Sequence, residues 1–210
     1  MRHALLFSVF VIASCGLAYE LIAGALSSYL LGDSVTQFST VIGCYLFAMG
    51  AGSWLSKYIV KDLVGRFIQI ELLVGLVGGF SAVALFFVFT WLSGPFQLVL
   101  YLLVFVVGML VGLEIPLVMR ILQRELAFKD LVSQVLTFDY LGALAVSILF
   151  PLFLSPHLGM IRTGLLFGLL NVAVALWALH LFRDQLPARR WIATQSWAVF
   201  GLLALGFGGA

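Results

Sequence analysis

Charged residues are scarce in this chain, where Asp, Glu, Lys and Arg make up 10% of the 210 residues. A soluble domain usually carries about 25%. Hydrophobic residues make up 63%, and a chain this apolar could not keep a surface free of apolar patches in water. The composition therefore excludes a complete soluble enzyme domain and is typical of a helical membrane protein.

Motifs that carry chemistry are also missing. The sequence has no Gly-rich phosphate loop after a strand and no His-Glu-x-x-His, and His3, His157 and His180 lie too far apart in register to form a haem pair. No Ser or Cys has a histidine partner at the same depth. We therefore expect no catalytic residue, metal site or cofactor within this chain, and no nucleic-acid partner, because no basic face is left outside the loops. Cys15 and Cys44 fall in apolar segments and are expected to be buried free thiols.

Long apolar runs separated by short polar turns dominate what is present. They predict an all-α integral membrane protein, a bundle of about seven transmembrane helices with short loops that forms a single domain. The predicted spans are about 4–31, 36–59, 67–92, 97–122, 131–154, 159–182 and 191–210. The predicted turns include 32–34, 93–95 and 155–157. Because the last run ends without a polar anchor, we expect the native chain to continue past Ala210.

The basic residues fall on one side of these spans. Ten of the 11 Lys and Arg residues share that side, and Arg162 lies on the other. The ten are Arg2, Lys57, Lys61, Arg66, Arg120, Arg124, Lys129, Arg183, Arg189 and Arg190. The positive-inside rule then predicts a cytoplasmic N-terminus, and we expect a multi-pass protein of the bacterial inner membrane.

Four acids interrupt the apolar runs: Glu20, Glu71, Glu114 and Asp139. Each costs at least about 2.5 kcal/mol at the centre of a span, so such residues usually face a bundle interior or a wet cavity. At 1.5 Å per residue, three of them lie about 6 to 12 Å from the cytoplasmic side. Glu71, Glu114 and Asp139 are therefore predicted to line a vestibule open to the cytoplasm, with Glu20 in the other half of the bilayer.

Pro116 supports a wet cavity beside Glu114. Its ring removes a backbone donor and leaves the carbonyl of Gly112 without its helical partner. Tyr140 and Asn171 are further candidates for polar contacts in the same cavity, as are Tyr19 and Tyr45. An acid-lined cavity would suit organic cations, polyamines, Na⁺ or protons, and the residues do not choose among them.

Two simpler interpretations of the acids stay open. The acids can be structural partners of Arg66, Arg120 or Lys129 near the interface. A buried carboxyl can also remain protonated, because a charge is costly where water is absent.

Small residues four apart indicate close helix packing. The pairs are Gly75/Gly79, Gly108/Gly112, Gly164/Gly168 and Ala48/Gly52. Such pairs let two backbones approach in lipid. They predict packing within one bundle, and the alternative is an oligomer formed through one of these faces.

Several stretches, in order along the chain, carry a resemblance. They include Tyr19-Glu20-Leu21-Ile22, the stretch 48–56, Gly112-Leu113-Glu114-Ile115-Pro116 and Asp139-Tyr140-Leu141-Gly142. With them the chain resembles the N-terminal membrane domain of membrane-bound spermidine synthase-like proteins, which are fused transporter-like and aminopropyltransferase proteins. The resemblance covers nearly the whole chain.

That resemblance implies a soluble aminopropyltransferase domain with a Rossmann-like fold after the membrane part. Such a domain would transfer a propylamine group from decarboxylated S-adenosylmethionine to putrescine. None of its residues is present here, so the resemblance implies an activity of a parent protein and not of these 210 residues. With seven spans the appended domain would lie outside the cytoplasm, away from a cytosolic donor.

A shorter resemblance concerns the loop after the second span. Asp62-Leu63-Val64-Gly65-Arg66 is similar to the Asp-x-x-Gly-Arg core of the corresponding loop in major facilitator transporters. There the acid and the Arg tie helix ends together and gate motion. Asp62, Arg66, Arg120 and Pro116 are accordingly candidates for gating or structural roles.

The leading hypothesis is a membrane domain that anchors a spermidine synthase-like enzyme part and binds or passes a polyamine-like cation. One alternative is an independent small cation transporter, or half of one. The other is a non-catalytic membrane scaffold that assembles with a partner.

Overall fold

The structure is a computed structural model that describes residues 2–91, 96–123, 128–186 and 189–210. All its regular elements are helical, and no strand occurs in these ranges. The helices are α1 (Arg2–Leu31), α2 (Ser34–Leu55), α3 (Leu63–Trp91), α4 (Phe96–Leu122), α5 (Phe128–Leu149), α6 (Gly159–Leu181) and α7 (Arg189–Gly209). The predicted turn at 93–95 and the loop residue Arg124 lie outside the described residues.

Six uninterrupted helical runs in the described ranges are long and apolar enough to cross a membrane. One of them, Phe128–Leu181, has 54 residues because α5 passes without a gap into α6. This run folds back on itself. Gly142 packs against Phe10 of α1, while the carbonyl of Phe167 accepts the thiol of Cys15 at 3.5 Å. Residues 25 positions apart on a straight helix would be separated by about 37 Å.

The reversal occurs later than the sequence predicted. The predicted turn at 155–157 lies inside a π-helical segment, Phe150–Leu158, and the chain turns at Gly159, whose φ is 73°. Pro151 and Pro156 lie in this segment, and neither has a backbone N–H to sustain the usual ladder. A positive φ favours glycine, which explains the residue at the turn.

The helices alternate in direction. α1 is antiparallel to α2, because Gly16 lies at Tyr45 and Gly24 at Phe38. α4 is parallel to α2, since Thr40 bonds to Tyr101 at 2.8 Å while Gly112 abuts the backbone of Met49. α3 and α7 run with α1, and α6 runs against it.

This alternation collects the basic residues at one end of the bundle. We call the end where α1 begins the basic end and the opposite one the far end. Helices α3, α5 and α7 also start at the basic end, which carries the described charges Lys57, Lys61, Arg66 and Arg120.

All the predicted small-residue pairs are used within the chain. A β-carbon on Gly52 would overlap the carbonyl oxygen of Met109, and one on Gly112 would overlap that of Met49. α2 and α4 thus touch backbone to backbone. In the same way α3 and α6 meet through Gly75/Gly79 and Gly164/Gly168, where a β-carbon on Gly168 would lie 2.6 Å from the carbonyl oxygen of Gly75. Oligomer formation through these faces stays a prediction.

Helix α3 begins four residues earlier than predicted. Asp62 adopts a φ of 52°, and its carboxylate accepts the backbone N–H of Gly65 at 3.2 Å. That bond caps the first turn, as an aspartate before a helix commonly does. Asp33 caps α2 similarly through the N–H of Thr36. Gly65 and Arg66 are therefore helical and not part of a loop.

Candidate functional site

Four buried polar side chains from four helices lie in the interior of the bundle. We call them the buried polar cluster: Tyr19 (α1), Glu71 (α3), Glu114 (α4) and Asn171 (α6). Their exposed fractions are 2%, 0%, 1% and 0%. Neither carboxylate, nor the Asn171 amide, nor the Tyr19 hydroxyl has a hydrogen-bond partner among the described residues. Buried polar groups usually have a hydrogen-bond partner. These four side chains are therefore free to form hydrogen bonds with a bound ligand.

Glycines of α3 let two of these side chains pack against the helix that carries Glu71. Gly75, one turn after Glu71, faces Asn171, and a β-carbon on it would lie 3.3 Å from the Asn171 β-carbon. The ring of Tyr19 packs on Gly78, where a β-carbon would lie 2.7 Å from it. The absence of side chains at Gly75 and Gly78 therefore makes room for the amide and the phenol beside α3.

Acidic side chains are concentrated in and around the cluster. Glu71 and Glu114 lie close enough for their charges to interact, and Asp139 is within range of Glu114. Cys15, which the sequence suggested was an ordinary apolar residue, also lies in range of Glu71 and Glu114. Two neighbouring carboxyl groups cannot both stay charged in a dry interior without a cation or a proton.

The predicted bridges from the acids to basic residues are not formed. Within the described ranges the one ion pair is Arg183–Asp184, between exposed neighbours 3.7 Å apart. Arg66 is exposed and donates to the side chain of Gln69 at 3.1 Å. Lys57 lies over the ring of Trp54, with its Nζ 3.9 Å from the ring centroid, so it too is paired with a group other than a buried acid.

Arg120 joins two helix ends. Its guanidinium donates to the carbonyl of Ser56 at 2.9 Å and to that of Ile59 at 2.7 Å. These carbonyls follow the last turn of α2, so Arg120 ties the end of α4 to the end of α2. Arg120 was predicted from the sequence to have a gating or structural role. Its acceptors could not be predicted, because every residue has a backbone carbonyl. Asp62, by contrast, caps its own helix.

No open vestibule reaches Glu71 or Glu114 in this structure, contrary to the prediction, because both are buried. The wide groove at the basic end, about 640 Å³, is lined instead by Lys61, Arg66, Gln69 and mainly apolar side chains, and by none of the buried acids. A small cavity of about 10 Å³ lies beside Tyr19 and Tyr45. It has room for about one water molecule.

The remaining predicted residues are placed differently. Glu20 and Asp139 are partly exposed. Tyr140 is 67% exposed and is not part of the buried polar cluster, because it follows Asp139 by one position and so faces another side of α5. Pro116 lies inside α4 two residues after Glu114.

The two buried tyrosines near the acids give a matched prediction. The hydroxyl of Tyr45 donates to the carbonyl of Gly16 at 2.8 Å, whereas that of Tyr19 has no described partner. We expect Tyr45→Phe to lower the free energy of unfolding by about 1 kcal/mol and Tyr19→Phe to leave it unchanged or raise it. Thermal unfolding in detergent, followed by tryptophan fluorescence, measures both. Equal losses would show that the Tyr19 hydroxyl has a partner.

Comparison with known proteins gives one consistent result. The chain is 67% identical over 184 residues to polyamine aminopropyltransferase 2 of Ralstonia nicotianae, a match that covers 87% of this chain and 36% of that protein. It is 56% identical over 207 residues to the polyamine aminopropyltransferase of Leptospira interrogans, covering 99% of this chain and 41% of that protein. With polyamine aminopropyltransferase 1 of Streptomyces coelicolor it shares 42% over 189 residues, or 88% and 35% of the two chains.

The chain thus spans between 35% and 41% of the length of these relatives and is a partial match to a larger enzyme. No protein-family model matches it, and no solved structure matches it.

Proposed function

We propose that this chain is the membrane domain of a polyamine aminopropyltransferase-like protein and anchors a catalytic domain encoded beyond these residues. The observation that carries the proposal is the match to relatives of that name, which extends over 87% to 99% of this chain but over little more than a third of theirs. A donor such as decarboxylated S-adenosylmethionine would bind to the catalytic domain and not to this bundle.

Length and charge support the membrane part of the proposal. Each helical run exceeds the roughly 20 residues needed to cross a bilayer. The basic end carries most of the Lys and Arg side chains, so we place that end and the N-terminus in the cytoplasm of a bacterial inner membrane.

The buried polar cluster supports a second role, which is to bind a polyamine-like cation. Two carboxyl groups and an amide lack partners among the described residues, and protonated amines supply the positive charge and the donors that such groups accept. The cavity beside Tyr19 and Tyr45 is too small in this structure for a polyamine. The cation would therefore enter only when the helices separate.

The size of the native protein tests the anchoring role. An antibody raised against residues 183–190 should detect in membranes a species larger than 23.0 kDa by a soluble domain of roughly 100–250 residues. A species of 23.0 kDa would show that the bundle stands alone. The anchoring proposal would then be wrong, and an independent transporter or a scaffold would take its place.

Spermidine binding tests the second role. In the purified chain, Glu71→Gln, Glu114→Gln and Asp139→Asn together should weaken spermidine binding by at least about tenfold, since hydrogen bonds to charged groups contribute about 1.5–3 kcal/mol each. Asp130→Asn, which removes an exposed acid at the start of α5, is the matched control and should bind like the unaltered chain. Unchanged binding in the triple variant would mean that the acids hold no polyamine, as a pure scaffold predicts.

A further inference from the structure

The order of elements repeats once along the chain. α2 ends at Leu55 and α5 ends at Leu149, which differ by 94 positions. α3 begins at Leu63 and α6 begins at Gly159, which differ by 96 positions. In each half the next residue leaves α-helical geometry, through a 3-10 turn in the first and a π-helical segment in the second. Helices α1–α3 and α4–α6 are therefore equivalent units, which we call repeat 1 and repeat 2.

Packing contacts follow the same repeat. Between α2 and α4, a β-carbon on Gly108 would lie 3.0 Å from the β-carbon of Ala48. Adding or subtracting 94 positions turns this pair into Ser14 and Gly142, where a β-carbon on Gly142 would lie 3.1 Å from the Ser14 hydroxyl. α1 therefore packs on α5 as α4 packs on α2. Since α1 and α4 are antiparallel, the axis that relates the repeats runs across the bundle, which makes them inverted repeats.

Glu20 and Glu114 occupy equivalent positions in the two repeats. Glu114 follows Glu20 by 94 positions, which is the offset between the ends of α2 and α5. Because the helices run in opposite directions, Glu20 is nearer the far end and Glu114 nearer the basic end. Tyr45 lies within electrostatic range of both. Equivalent acids thus lie towards opposite ends of the bundle.

The two acids differ in exposure, although the repeats are alike. Glu114 is 1% exposed, whereas Glu20 is partly exposed. The repeats also differ at Arg120, whose two bonds to the carbonyls of Ser56 and Ile59 join α4 to the end of α2 at the basic end. Its equivalent in repeat 1 is Leu26, an apolar residue that cannot donate a hydrogen bond. Repeat 1 therefore has no equivalent of the two hydrogen bonds that Arg120 makes in repeat 2.

We propose that the bundle moves a cation by exchanging two arrangements of its inverted repeats, in which Glu20 and Glu114 are the equivalent carboxyl groups exposed in turn at the far end and at the basic end. Inverted repeats commonly allow such an exchange, because either repeat can adopt the conformation of the other. The structure is the arrangement in which Arg120 holds the basic end shut. The exchanged arrangement opens that end and buries Glu20.

This proposal shares with the proposed function the choice of a cation as ligand, but it does not depend on an appended enzyme domain. If the native species proves to be the bundle alone, the exchange can still occur. If the exchange fails, the anchoring role is untouched.

Access to the two acids tests the exchange. In native membranes, with Cys15 and Cys44 replaced by Ala, single Glu20→Cys and Glu114→Cys variants report accessibility to a membrane-impermeant maleimide. Intact cells present the far end and inverted vesicles the basic end. We expect Glu20→Cys to react from the far end and Glu114→Cys to be protected from both sides.

Releasing Arg120 should reverse this pattern. Arg120→Gln should raise the reaction of Glu114→Cys from the basic end by at least about tenfold, because two charge-assisted bonds are lost, and should lower that of Glu20→Cys from the far end. Arg183→Gln, at an exposed pair in the loop after α6, is the control and should change neither. If Arg120→Gln is absent from membranes, Arg120→Lys, which keeps one charged donor, should produce the same reversal at smaller amplitude.

A rise in the reaction of Glu114→Cys with no fall in that of Glu20→Cys would show local fraying, and it would overturn the proposal, as would no change at either site.

A flux measurement identifies the cation. Vesicles that contain the unaltered chain are assayed for proton entry with an internal pH dye and for uptake of labelled spermidine. Glu20→Gln and Glu114→Gln should each reduce the flux that is observed at least tenfold, while Asp130→Asn should not. Flux of neither cation above protein-free vesicles would also overturn the proposal.

Discussion

Replacing Gly52 with alanine is expected to abolish accumulation of folded protein in the membrane, or to reduce the free energy of unfolding by more than about 3 kcal/mol, beyond the usual range for overpacking. The added β-carbon would overlap the carbonyl oxygen of Met109. A backbone atom cannot swing aside as the end of a flexible side chain can, so α2 and α4 must separate along their whole contact. That separation would also draw Ser56 and Ile59 away from Arg120.

Gly50 provides the control for this prediction. It lies on the same helix two positions earlier, and a β-carbon there would meet nothing within 4 Å. Gly50→Ala should be neutral or stabilise the protein by up to about 1 kcal/mol, because alanine is the better helix former. Fluorescence-detected size-exclusion chromatography and thermal unfolding compare the two variants. Similar behaviour would show that α2 and α4 are farther apart than the structure has them.

The helical class could be predicted from the sequence because apolar runs of about 20 or more residues are typical of helices that can cross a membrane. Helix ends such as Leu31, Leu122 and Leu181 lie within one residue of the predicted ends. The largest deviations arose where local chemistry acts: the cap at Asp62 started α3 early, and the π-helical segment around Pro156 delayed the turn to Gly159. Hydropathy is insensitive to both effects.

The candidate site could be predicted only in part. An acid in an apolar run is conspicuous in a sequence, so Glu71 and Glu114 could be predicted to lie in the interior. The predicted open vestibule is not present in this structure. The position of a residue along a helix predicts its distance from the end of the bundle, but it does not predict which way the side chain points or which residues cover it. Tyr140 was misplaced for the same reason, as the neighbour of an acid points elsewhere on a helix.

The inverted repeat was also invisible at the level of residue identity. Glu20 and Glu114 are alike, but most other equivalent positions, such as Ser14 and Gly108, share size and not identity. Small residues are required at these points because backbones approach closely there. The repeat therefore emerges from the order of the helices and from the contacts between them, which depend on the shape of the side chains.

Replacing Asn171 with leucine is expected to stabilise the ligand-free protein and to remove its response to a cation. Both polar atoms of the Asn171 amide are buried without a described partner, and an unsatisfied buried group costs about 1–3 kcal/mol. Leucine has a similar shape and carries no such penalty. We expect a gain of that size in the free energy of unfolding. We also expect spermidine to stabilise the unaltered chain and to have no such effect on the variant.

Thr163→Val on the same helix is the matched control with the opposite sign. Thr163 is equally buried, but its hydroxyl donates to the carbonyl of Leu154 at 3.3 Å. Its removal should cost about 1 kcal/mol and leave the response to spermidine intact. Thermal unfolding with and without spermidine measures both the change in stability and the response to spermidine. If Asn171→Leu instead lowers stability as Thr163→Val does, the amide is part of a satisfied internal network. The cluster would then be a structural feature that holds α3 and α6 together, with no place for a cation between Glu71 and Glu114.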